Sequence, residues 1–122
     1  MHYTRIYADA EGESHFEDVE IRMVEVNLVP PAPALNMAGF EPASQVSFLS
    51  GPPGWYGEPH RAPKPSIYFA LEGEWEFGTS DGEKRRLGPG AILRTDDVTG
   101  KGHSSRVVSD VPALVGVVQL VE

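Results

Sequence analysis

The stretch Gly54–Gly73, GWYGEPHRAPKPSIYFALEG, decides how the chain reads. It carries one of four histidines, a proline-stiffened run, and a β-branched and aromatic segment that stops at a glycine. SIYFALEG has strand composition, and Gly73 predicts a tight hairpin to a partner strand in EWEFGTS. Further along, Val98–His103 (VTGKGH) places a histidine straight after a glycine-rich bend. The two histidine-bearing stretches are candidates for one site.

Outward from these stretches, the pattern stays at period two. Val19, Ile21 and Met23 alternate with Asp18, Glu20 and Arg22, which predicts one strand across residues 16–26 with a solvated face. HYTRIYA (2–8) alternates loosely and predicts an edge strand. Residues 29–44 hold four prolines and read as a loop. QVSFLSG follows, with Val46, Phe48 and Ser50 on one face. Asp81-Gly82 marks a hairpin turn, LGPGAILRTD a turn and strand, and ALVGVVQLV (113–121) a central strand. Thirteen glycines and eleven prolines are spread throughout, which excludes long helices. The expectation is an all-β jelly roll of eight to ten short strands in a single domain, 1–122.

Composition narrows the function classes. Eighteen acidic residues against ten basic ones give a formal charge of −8, which argues against a nucleic-acid partner. No apolar run approaches the ~20 residues of a membrane helix, so no membrane partner is expected. There is no cysteine, which removes disulfide, thiolate and cysteine–zinc chemistry and suits a reducing compartment. The start, MHYTRIYADAEGES, lacks a basic-then-apolar signal layout, and a cytoplasmic location is expected.

Gly54, His60 and Gly73 fall on three positions of a motif that resembles the first cupin motif. That motif's second histidine position is Ala62, and its glutamate position is Ser66. Gly100 and His103 match the second cupin motif, where Val98 and Val107 replace its proline and asparagine. LGPGAILRTDD looks like the Pro-Gly-Asp strand that precedes that motif, with Ala91 in place of the acid. TGKGH together with an upstream H-x-AP is similar to a subgroup of small bacterial cupin-domain proteins. The resemblance covers about 46–121, leaving residues 1–28 as N-terminal strands. It implies a double-stranded β-helix, often dimeric, with the site in the barrel mouth.

A typical cupin holds a divalent metal with three histidines and a glutamate. This chain keeps two of those four, so no metal cofactor is expected, although His60 and His103 are where a divalent metal would sit. If His60 faces inward, parity turns Ser66, Tyr68 and Ala70 inward too, and from His103 also Ser105 and Val107. His60, His103 and Tyr68 are the candidate catalytic residues. Ser66, Ser105, Phe48 and Trp55 are candidate substrate contacts. The expected ligand is a small organic molecule, handled by acid/base chemistry of isomerase, cyclase or lyase type. The alternatives are a ligand-binding or sensing cupin without catalysis, and a metal-dependent dioxygenase. Asp96-Asp97 reads as turn chemistry in preference to a partner for His103. His15 reads as structural or as part of a dimer edge. A homodimer is expected, because N-terminal edge strands need pairing or protection.

Overall fold

Alternation becomes burial most clearly at Trp75–Thr79. Trp75, Phe77 and Thr79 are buried while Glu76 and Gly78 between them are half-exposed. Ala113–Leu120 departs from the alternation, with Val115, Gly116 and Val117 buried in a row, and its uncharged residues suit an inner strand. The computed structural model describes residues 1–121. These form twelve strands and no helix: β1 (His2–Ala8), β2 (Ser14–Glu20), β3 (Val24–Val26), β4 (Leu35–Met37), β5 (Ala43–Gly51), β6 (Tyr56–His60), β7 (Ser66–Glu72), β8 (Trp75–Thr79), β9 (Lys84–Leu87), β10 (Ile92–Thr95), β11 (His103–Val107) and β12 (Ala113–Leu120). The fold is an all-β jelly roll. A six-stranded sheet runs β2-β1-β10-β7-β12-β5, a four-stranded sheet runs β6-β11-β8-β9, and β3 and β4 pair with each other.

The core lies between the two larger sheets. Ile6, Phe16, Leu93, Ala113 and Val115 enter from the six-stranded sheet, and Trp75, Phe77 and Val107 from the four-stranded one. Ile6, Leu93 and Val107 are almost wholly buried. Each large aliphatic side chain so placed contributes roughly 1.5–3 kcal/mol. The β8–β9 hairpin forms at Asp81-Gly82 as its sequence requires, with Gly78 opposite Lys84.

Four expectations need correction. The hairpin across Gly73 does not form: β7 pairs with β10 and β12, whereas β8 pairs with β11 and β9. Gly73 instead turns the chain from one sheet to the other. Its φ is +69°, and a Cβ there would lie 2.7 Å from the Ala113 Cα, so the turn is pressed against the start of β12. Second, β1 is not an edge strand. It pairs with β2 on one side and in parallel with β10 on the other, which leaves β2 at the edge. Third, residues 16–26 are not one strand. The ladder ends at His2 opposite Glu20, where β1 begins, so β2 runs out of partner and the chain departs after Ile21 bonds Met1. Fourth, the proline-rich 29–44 segment contains β4 and the start of β5, which raises the strand count from the expected eight to ten to twelve.

His15 is structural. Its Nε2 lies 2.7 Å from Asp9 Oδ2 and its Nδ1 2.9 Å from Asp81 Oδ2, tying the β1–β2 turn to the β8–β9 turn. The bond to Asp9, then that to Asp81, holds the His15 pKa above its ordinary value; the bond from His15 depresses that of Asp9, and the Thr79 hydroxyl first, with His15 a smaller contributor, depresses that of Asp81. The signs then follow. The His15 contribution is full below the unfolded pKa of ~6.5 and fades as pH rises through the higher folded value. The carboxylate contribution is full above the unfolded ~4 and fades as pH falls through the lower folded values. Denaturant melts from pH 5 to 9 should therefore show stability declining on the alkaline side of neutrality. In His15→Ala that decline should flatten; an unchanged slope would remove the clamp.

Candidate functional site

His60 closes β6 and His103 opens β11, and the two residues face each other across that strand pair. Their ring centroids are 5.1 Å apart and the planes are tilted by 47°. The approach depends on Gly102. With φ +75°, it brings the bend so near β6 that a Cβ there would lie 2.1 Å from the His60 carbonyl oxygen. Any side chain at 102 would push the two histidines apart.

Each ring has one nitrogen already engaged. His103 is buried, and its Nδ1 lies 2.6 Å from Oδ2 of Asp97, a residue with no exposed surface. A carboxylate can only accept, so His103 Nδ1 carries the hydrogen and donates it. His60 is exposed and donates Nδ1–H to the Glu58 carbonyl at 3.1 Å. When such a ring is neutral its hydrogen is on Nδ1, and Nε2, without a partner among the described residues, is the acceptor.

Asp96 and Asp97 split across the sheet. Asp96 Oδ2 accepts from Arg5 at 2.6 Å and from Arg94 at 3.0 Å, while Asp97 turns inward to His103. The reading of this pair as turn chemistry is thus corrected. Asp97 is the candidate site residue that the sequence reading ranked below turn chemistry. Its signal was an acid six residues before a histidine, with two glycines between to fold the chain back. Among the described residues, Asp97 Oδ1 and Thr95 Oγ1 are buried without a hydrogen-bond partner.

The rings open into a cavity of about 140 Å³. Leu49, Trp55, Trp75, Phe77 and Val115 make its apolar walls; Tyr68 and Ser105 join the histidines as its polar groups. Trp55 and Trp75 meet edge to face at 6.0 Å, and Trp75 stacks on Phe77 at 6.2 Å. Burial pushes the Tyr68 phenol pKa up, and the negative charge of Asp97 pushes it further. Tyr68 therefore stays protonated at neutral pH, a donor and not a base.

Of the seven predicted site residues, His60, His103, Tyr68, Ser105 and Trp55 line this one cavity. Ser66 and Phe48 do not. Ser66 is buried on the Tyr68 face, but its Oγ donates to the Lys64 carbonyl at 3.0 Å. Phe48 is 69% exposed on the outer face of β5; its neighbour Leu49 takes the cavity position, because adjacent strand residues point to opposite faces.

A jelly-roll barrel with an imidazole pair in its cavity defines the class. No family model matches the sequence and no curated protein matches it. Solved structures do. A cupin 2 conserved barrel domain protein from Salinispora arenicola aligns with a TM-score of 0.55 and 18% identity, over 82% of this chain and 75% of that one. A cupin domain from Bordetella pertussis gives 0.53 and 15%, over 82% and 94%. The DMSP lyase DddQ from Ruegeria pomeroyi gives 0.52 and 28%, over 63% of this chain but only 38% of the lyase. The protein has the cupin fold.

That fold often holds a metal, and the donors present here do not fit one. Ala62 is buried and has no ligating atom, and Ser66 is committed to Lys64. His15 is held between Asp9 and Asp81. Among the described residues no three His, Cys, Asp or Glu side chains converge as a metal set. Two imidazoles alone fall short of the three protein ligands usual even in an open zinc site. Elemental analysis of dialysed protein should accordingly find transition metal far below one equivalent; near-stoichiometric Fe, Mn, Ni, Cu or Zn would overturn this reading of the donors.

Proposed function

We propose that the protein is an enzyme that binds a small, ring-sized organic molecule in this cavity and moves a proton on it. The observation that carries the reading is the His60–His103 pair, with both Nδ1 atoms engaged and both Nε2 atoms free, at the wall of an apolar cavity. An apolar cavity near 150 Å³ in another protein takes up benzene, so about 140 Å³ suits one ring or its aliphatic equivalent. The substrate class is thus a compact, mostly apolar molecule with one or two polar groups.

In this reading His103 Nε2 takes a proton from a substrate C–H or O–H. Asp97 holds the ring by Nδ1 and balances the charge the ring acquires. Tyr68, kept protonated by burial, donates a hydrogen bond to the oxygen on which charge develops. His60 stands at the exposed rim and exchanges protons with solvent. Removal and return of one proton at different atoms is an isomerisation, and return with loss of a leaving group is a lyase step. That a lyase stands among the structural neighbours supports the second form, as analogy alone. A protein of this class without cysteine suits the cytoplasm, where we place it.

The test begins with native mass spectrometry to identify the molecule that co-purifies. With that compound or its close analogues, His103→Ala should lower kcat by ~10²–10⁴-fold, and His60→Ala and Tyr68→Phe by less. His103→Ala also strips buried Asp97 of its partner and costs stability, so circular dichroism measures the folded fraction and turnover is compared per folded molecule. Full turnover in folded His103→Ala contradicts the mechanism. Binding retained with no turnover in any assay favours a ligand-binding role without catalysis.

A further inference from the structure

Ser14 opens β2 and has no exposed surface, yet it does not line the site cavity. A buried hydroxyl is tolerated where its hydrogen bonds are made. Here they are made to elements far away in the chain. Ser14 Oγ donates to the Gly102 carbonyl at 2.7 Å and accepts from the Ser80 N–H at 2.8 Å. The Ser14 N–H in turn donates to Ser80 Oγ at 2.7 Å.

The first of these acceptors matters most. The Gly102 carbonyl belongs to the same peptide unit as the His103 N–H, and a peptide unit is planar. Fixing the direction of that carbonyl fixes the plane from which His103 and its ring depart. The rest of the 100–102 bend leans on the same turn. Lys101 donates its backbone N–H to the Gly12 carbonyl at 2.9 Å, and its Nζ donates to Glu13 Oε2 at 2.9 Å. Gly100 lies so close to Gly12 that a Cβ on it would strike the Gly12 backbone. Residues 12–14 are thus the seat of the bend. The Lys101–Glu13 pair is exposed and water competes for it, whereas the Ser14–Gly102 bond is buried.

We propose that Ser14 is a positioning residue of the site: its hydroxyl orients the Gly102–His103 peptide so that His103 Nδ1 meets Asp97 and the ring stands beside His60. The turn between β1 and β2, outside both histidine-bearing stretches, then governs the geometry of the imidazole pair. This placement of the ring holds whether or not the site moves a proton.

Ring ¹⁵N shifts of His103, with denaturant melts alongside, test it on the full chain. Ser14→Ala deletes the bond to Gly102. Ser80→Ala, at an exposed position, takes the acceptor from the Ser14 N–H and leaves the Gly102 bond in place. Both should lower the denaturation midpoint. In folded Ser14→Ala the His103 Nδ1 and Nε2 shifts should move toward each other as the hold on Nδ1 slackens; in Ser80→Ala they should stay at wild-type values. Ser14→Cys, close in size with a weak donor, should fall between wild type and Ser14→Ala, and is the deciding variant where Ser14→Ala fails to fold. Wild-type His103 shifts in the deciding variant overturn the proposal, because Ser14 is then a stabilising residue alone. An equal displacement in Ser80→Ala overturns it too, because any loosening of the junction then moves the ring.

Discussion

The site depends on one contact, the 2.6 Å hydrogen bond between buried Asp97 and His103. A carboxylate with no exposed surface is costly to hold away from water unless it is partnered. Here one oxygen has a partner in His103 and the other has none. The structure around it is arranged to keep that geometry. The backbone N–H of Ala62 donates to the Asp97 carbonyl at 3.0 Å, tying the segment after β10 to the segment after β6. Asp96, one residue earlier, anchors the same segment outward through Arg5 and Arg94. His103 is thus fixed from both sides of the sheet, and Gly102 sets its distance to His60.

The fold was legible where chemistry is local. Period-two alternation at Trp75–Thr79, the Asp81-Gly82 hairpin and the apolar ALVGVVQLV run each specify a strand or turn without help from the rest of the chain. The topology was not. SIYFALEG and EWEFGTS look like the arms of a hairpin, yet the chain turns at Gly73 from one sheet to the other, close against the distant Ala113, and neither segment signals that locally. Likewise, nothing local shows that β10 will add in parallel to β1 and make it an inner strand.

The site was half legible for the same reason. His60 and His103 are recoverable from their spacing to glycines, and Tyr68 and Ser105 from parity with them. Phe48 was misplaced because parity alone gives two faces and does not say which is inside. Asp97 was undervalued because an acid beside a glycine bend is ordinary turn chemistry. Its role emerges only when the bend returns His103 to within hydrogen-bonding reach. Residues such as Trp75 and Val115 enter the cavity from distant strands and carry no signal of their own.

The two faces of β5, β7 and β12 then serve different ends. Leu49, Tyr68 and Val115 shape the cavity, while Phe48, Phe69 and Gly116 lie on the reverse. Strand alternation, which first identified the fold, is what lets three strands build a wall and an apolar outer surface at once.

The central claim is that His103 is held by Asp97 through Nδ1 and offers a bare Nε2 to the cavity. Ring ¹⁵N chemical shifts of His103 in the metal-free protein near neutral pH read this directly. The account predicts a hydrogen on Nδ1 and the shift of an unprotonated nitrogen at Nε2, with Asp97→Asn disturbing that preference. A neutral His103 ring with its hydrogen on Nε2 would contradict it.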